Sequence, residues 1–80
     1  MPDLPTISGR EVVRVFARNG WQMVRQRGSH MILVRPGHMA TLSVPDHREV
    51  AKGTLRSLIR SSGLTVDEFA AFASEQAPIP

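Results

Sequence analysis

Eighty residues without a cysteine are expected to form one small domain, 1–80, with no disulfide framework, thiolate nucleophile or cysteine-based zinc site. No apolar run approaches the roughly 20 residues of a membrane span and no basic-then-apolar leader opens the chain. A composition 41% hydrophobic and 21% charged argues for a soluble globular domain over a disordered one, and the lack of cysteine is compatible with a cytoplasmic location. The net charge of +3 conceals an asymmetry: between Arg10 and Arg60 ten bases face three acids, a balance of +7, and only acids follow.

Residues 1–7, with two prolines and no period, read as a loose lead-in. Ser8-Gly9-Arg10-Glu11 is a capping box that opens a first helix. Val12, Val13 and Phe16 form its apolar side, and Arg10, Arg14 and Arg18, spaced by four, form a basic stripe opposite. Asn19-Gly20 closes the helix, with Gly20 suited to a left-handed C-terminal position.

Three strands follow: Trp21 to Gln26, Ser29 to Arg35 and Met39 to Val44. Arg27-Gly28 marks the first turn, and Pro36-Gly37-His38 the second, which leaves His38 in solvent. Strand two is apolar on both parities, with Met31 and Leu33 on one face and Ile32 and Val34 on the other. In strand three Leu42 and Val44 oppose Thr41 and Ser43. After a polar loop, Gly53-Thr54 leads into a second helix with Leu55, Leu58 and Ile59 inward, ended by Gly63. Thr65-Val66-Asp67-Glu68 is a second capping box and opens a short third helix carrying Val66, Phe69 and Phe72. A proline-containing tail, 75–80, completes the chain, so the core spans about 8–72.

The order α-β-β-β-α gives an α+β fold. A three-stranded antiparallel sheet with helices on one face is its natural solution, as in the double-stranded-RNA-binding fold. Helices on one face leave Ile32 and Val34 on the other. An exposed aliphatic patch fits a protein partner or self-association, unless loops cover it.

Nine of the ten bases are arginine, whose planar fork suits bidentate phosphate contacts. The basic body fits nucleic acid or an acidic protein, and equally plain solubility. His30, in Gly28-Ser29-His30 after a tight turn and near Arg25, Arg27 and Arg35, is the candidate proton carrier. Beside guanidinium groups an imidazole suits phosphodiester chemistry on RNA, which supplies its own 2′-hydroxyl nucleophile. A turn histidine without chemistry has the same sequence. His47, in Pro45-Asp46-His47, is a second proton carrier, a phosphate contact or a plain loop residue.

Lys52-Gly53-Thr54 places a cation, a bare backbone and a hydroxyl at a helix start, which is an anion-binding arrangement or an ordinary helix beginning. The three histidines lack metal-ligand spacing. With one Trp, no Tyr and three Phe, the aromatics are better used as core than as base-stacking platforms.

These signals, in this order, resemble the HicA-type toxins, small mRNA interferases of toxin–antitoxin pairs. The resemblance runs from about Ser8 to Phe69. It rests on Asn19-Gly20-Trp21, Gly28-Ser29-His30, Pro45-x-His47, Lys52-Gly53-Thr54-Leu55-Arg56 and an aliphatic helix ending at Gly63-Leu64. It implies a double-stranded-RNA-binding-like fold, metal-independent cleavage of mRNA without a cofactor and a catalytic His30. It also implies a HicB-type antitoxin that covers the active surface, with higher-order toxin–antitoxin assembly open. The RNA-binding set is then Arg10, Arg14, Arg25, Arg27, Gly28, Ser29, His47, Lys52, Gly53 and Thr54. Met31 and Leu33 depart from the family's frequent His or aromatic, which implies altered base stacking. The alternatives are a double-stranded-RNA-binding module without chemistry and a protein-binding adaptor.

Overall fold

The computed structural model describes residues 4–75. Residues 1–3 and most of the expected tail, 76–80, lie outside the described residues. The elements are α1 (Gly9–Ala17), β1 (Gln22–Arg27), β2 (His30–Val34), β3 (Leu42–Pro45), α2 (Lys52–Ser62) and α3 (Val66–Glu75). The strands form an antiparallel sheet in the order β1-β2-β3.

Both capping boxes form. The Glu11 amide donates to Ser8 Oγ at 3.2 Å and the Ser8 amide to Glu11 Oε1 at 3.4 Å. The Glu68 amide donates to Thr65 Oγ1 at 3.1 Å, and the Thr65 amide to Glu68 Oε1 at 2.9 Å. Helix α1 closes with paired bonds from the Trp21 amide to the Phe16 carbonyl, 3.1 Å, and from the Gly20 amide to the Ala17 carbonyl, 3.3 Å. That closure needs a left-handed residue between them, and Gly20 supplies it at φ 91°.

One face of the sheet makes the core. Met31, Leu33, Leu42 and Val44 are buried with Val12, Val15 and Phe16 of α1, Leu55 and Ile59 of α2, and Phe69 of α3. Burying each aliphatic or aromatic side chain contributes about 1.5–3 kcal/mol. The Phe16 ring lies 5.5 Å from Phe69 and 6.4 Å from Trp21, which seats α3 against α1. Arg18 finishes that contact, with its guanidinium 5.0 Å from the Phe72 ring centre and 2.7 Å from Glu75. Glu75 therefore belongs to α3 and not to a loose tail.

Two further expectations change. Residues 4–7 are anchored rather than loose: Leu4 and Ile7 are buried, and the Ile7 carbonyl accepts the Val50 amide at 2.8 Å. His38 is half-buried rather than solvated. Its ring stacks at a tilt 4.9 Å from Trp21, and its Nδ1 accepts the Ala40 amide at 3.3 Å.

Candidate active site on the open sheet face

The second face of the sheet carries no helix among the described residues, and the site is built on it. The β1–β2 turn is two residues, Gly28-Ser29, one position later than expected. Gly28 has φ 58° and Ser29 a negative φ, the requirement of a tight hairpin with glycine first. A two-residue turn fixes register, so Arg27 pairs directly with His30. Directly opposed residues share a face with Cβ atoms about 4.5–5.5 Å apart. The turn thus puts a guanidinium beside the imidazole.

The same register places Arg25 opposite Ile32 on this face, and a β-bulge just before it re-phases Met23. Met23 pairs with Leu33 and Arg25 with Ile32, so Val24 is an extra residue opposite nothing. In a regular strand Met23, Arg25 and Arg27 would share one face. The inserted residue shifts the alternation by one. Met23 stays on the helix side, and Arg25 and Arg27 turn out toward His30.

The imidazole sits in a shallow cleft lined by Arg27, His30, Ile32 and Ser43. Ser43 pairs with Ile32 on β3, and its Oγ lies 3.2 Å from His30 Nδ1. Strand alternation alone sets Ser43 on the face opposite Leu42 and Val44, but its contact with His30 has no sequence signal. Ile32 is half-buried and Arg27, His30 and Ser43 are exposed.

Asp46 braces the hairpin from β3. Its amide donates to the Ser29 carbonyl at 2.6 Å. Its carboxylate accepts Gln26 Nε2 at 3.4 Å and Arg10 Nε at 3.3 Å, and Gln26 Nε2 also donates to the Gly28 carbonyl at 3.2 Å. Gly28 and Ser29 thereby act as the geometry of the tip. Helix α1 begins at the same end of the sheet, where the Gly9 amide donates to the His47 carbonyl at 2.9 Å. His47 itself is exposed.

The remaining candidates lie elsewhere. Arg10 and Arg14 sit on α1 and Arg18 caps its C-terminal end, behind the sheet from His30, and the stripe does not border the cleft. Arg10 is engaged with Asp46 and Arg18 with Glu75, and Arg14 is exposed. Lys52 donates its ammonium to the Leu4 carbonyl, so it tethers the N-terminal segment instead of standing free. Gly53 and Thr54 are exposed in the first turn of α2, whose preceding residue Ala51 gives no side-chain cap. Met31 and Leu33 are 4% and 0% exposed and face the helices, so their departure from the family pattern cannot alter stacking in the cleft. Ile32 is the apolar residue that lines it.

A family model described as "HicA toxin of bacterial toxin-antitoxin" matches residues 9–64. That span holds the whole sheet, α1, α2 and every residue of the cleft. The chain belongs to the HicA toxin family. A comparison with curated proteins found no match. Of the elements, α3 alone lies wholly beyond the match in this HicA chain, and it packs against α1 and α2. Among the described residues no helix is long and apolar enough to cross a membrane, and no three His, Cys, Asp or Glu residues cluster in a way that could hold a metal ion.

Proposed function

We propose that this HicA-family chain is an endoribonuclease that cleaves mRNA in the cytoplasm without a metal or cofactor. The observation that carries the reading is the direct cross-strand pairing of His30 with Arg27 on a sheet face that no helix covers. His30 takes the proton from a 2′-hydroxyl. The freed oxygen bonds to the adjacent phosphorus, and the bond from phosphorus to the 5′-oxygen breaks. The departing oxygen takes a proton from solvent, leaving a 2′,3′-cyclic phosphate and a 5′-hydroxyl. Arg27 and Arg25 hold the phosphate oxygens as charge develops on them. The bare backbone of Gly28 and Ser29 lets the strand approach the tip. The uncapped start of α2 at Gly53 and Thr54 offers a second phosphate contact, which Lys52 joins by exchanging the Leu4 carbonyl for the phosphate, with Arg10, Arg14 and His47 as outlying attraction for the chain.

The same face suits a HicB-type antitoxin. Ile32 and Val34 are half-buried aliphatics beside a basic rim, a combination that fits an acidic protein surface with an apolar centre.

The test is incubation of the protein and its His30→Ala variant with a long RNA in EDTA. Cleavage by the first alone, with cyclic-phosphate ends, is expected. Full activity of His30→Ala, or duplex binding by the wild type without product, would overturn the reading.

A further inference from the structure

The contact between His30 and Ser43 has a chemical consequence, which rests on the ribonuclease reading. An imidazole that serves as a base must present an unprotonated nitrogen to the substrate, and the hydrogen bond at the other nitrogen decides which one that is. Nδ1 of His30 is 3.2 Å from Ser43 Oγ. Nε2 has no partner among the described residues. We infer that Ser43 is the positioning residue for His30: its oxygen accepts the Nδ1–H, which makes Nε2 the basic atom in the cleft.

Two features support this direction of the bond. Ser43 is exposed, so its own O–H has water to donate to and its oxygen is left free to accept. The bond also persists through the reaction. When Nε2 gains a proton the imidazolium still donates from Nδ1, and no group has to rotate. The opposite arrangement, with the hydroxyl donating to Nδ1, keeps the proton on Nε2 and removes the base. The register accounts for the contact itself. Ser43 is diagonal to His30 across the β2–β3 ladder, because His30 pairs with Pro45 and Ile32 with Ser43. Diagonal neighbours on one sheet face lie within side-chain reach. The hairpin sets where His30 stands, and β3 sets how its ring is turned.

The experiment records the ring nitrogens of His30 by long-range proton–nitrogen NMR in the wild type, Ser43→Ala and Ser43→Thr, without RNA, and measures cleavage kinetics of all three. The Nδ1–H form is expected in the wild type, a shift toward the Nε2–H form in Ser43→Ala, and recovery in Ser43→Thr, which keeps the hydroxyl on a residue suited to strands. The expected rate effect is a loss of about tenfold in kcat for Ser43→Ala with KM unchanged, restored by Ser43→Thr. An Nε2–H ring in the wild type, or the same ring form in Ser43→Ala as in the wild type, would overturn the inference. The spectra need no activity, so an inactive wild type would count against the ribonuclease reading and not against the Ser43 contact.

Discussion

The amide of Asp46 donates to the carbonyl of Ser29 at 2.6 Å, and this bond ties the tip of the β1–β2 hairpin to the residue that follows β3. The Asp46 carboxylate adds two contacts, to Gln26 and Arg10. A hairpin of two strands alone is marginal in water. Here its tip is held from a third strand, and His30 begins the strand that the tip leads into.

Asp46→Ala removes the side-chain contacts and keeps the main-chain bond. The Arg10 side chain is 77% exposed, so solvent screens that pair and the loss of stability is under about 1 kcal/mol. Cleavage falls several-fold, because the tip loses two of its braces. Faster amide exchange at Ser29 and His30, measured beside the cleavage rate and a melting temperature lowered by no more than a few degrees, checks this.

The arginines separate by face. Arg27→Ala weakens RNA binding and lowers its salt dependence by about one unit of slope. Arg18→Ala leaves that slope unchanged, since Arg18 is engaged with Phe72 and Glu75 behind the sheet. Titrations of both variants at several salt concentrations decide it, and equal slopes would remove the open face as the RNA surface.

Glycines at the two helix starts respond in opposite ways. A Cβ on Gly9 would stand 1.9 Å from the Pro45 carbonyl oxygen, which is backbone and cannot swing away. Gly9→Ala destabilises the protein by about 3 kcal/mol. A Cβ on Gly53 meets nothing within 4 Å, so Gly53→Ala raises stability by about 0.5 kcal/mol. With no clash among the described residues, the new methyl acts on a phosphate bound at the helix start, and RNA affinity drops. Urea melts and RNA binding on the same samples test both halves.

Deleting Val24 is expected to be tolerated. The bulge inserts one residue between two correctly paired positions, so its removal leaves Met23 opposite Leu33 and Arg25 opposite Ile32. Cleavage persists within a few-fold. Inserting a second residue there instead turns Met23 and its neighbours to the wrong face and is expected to abolish folding. Circular dichroism and cleavage of the two variants distinguish these outcomes.

Much of this was legible in the residues. The two capping boxes have fixed local spacing, and the split of Met31 and Leu33 from Ile32 and Val34 follows from strand alternation alone. The bulge was not legible, because Met23, Arg25 and Arg27 share one parity in the sequence and only pairing with β2 separates them. Lys52 reads as a free cation because its partner, the Leu4 carbonyl, is far away in the chain and is a backbone group with no sequence signature. Leu4 and Ile7 lie in too short a stretch to show a period. His38 sits in a genuine turn, and only the fold brings Trp21 beneath it. For the candidate site, the hairpin motif singled out His30 and Arg27, but Ser43 beside His30 and Asp46 beside the hairpin tip are long-range contacts.

The two free edges of the sheet are poor templates for another strand. β3 is four residues long and ends in Pro45, which has no N–H to offer. β1 is bent at Val24 and bears Arg25 and Arg27, so an approaching copy meets a twisted ribbon with like charge. A protein this small, with an apolar strand at its centre, would otherwise be at risk of growing edge to edge into fibres. The hairpin register that turns two arginines toward His30 therefore also charges the one long edge of the sheet, and the bulge beside them bends it away from a flat partner.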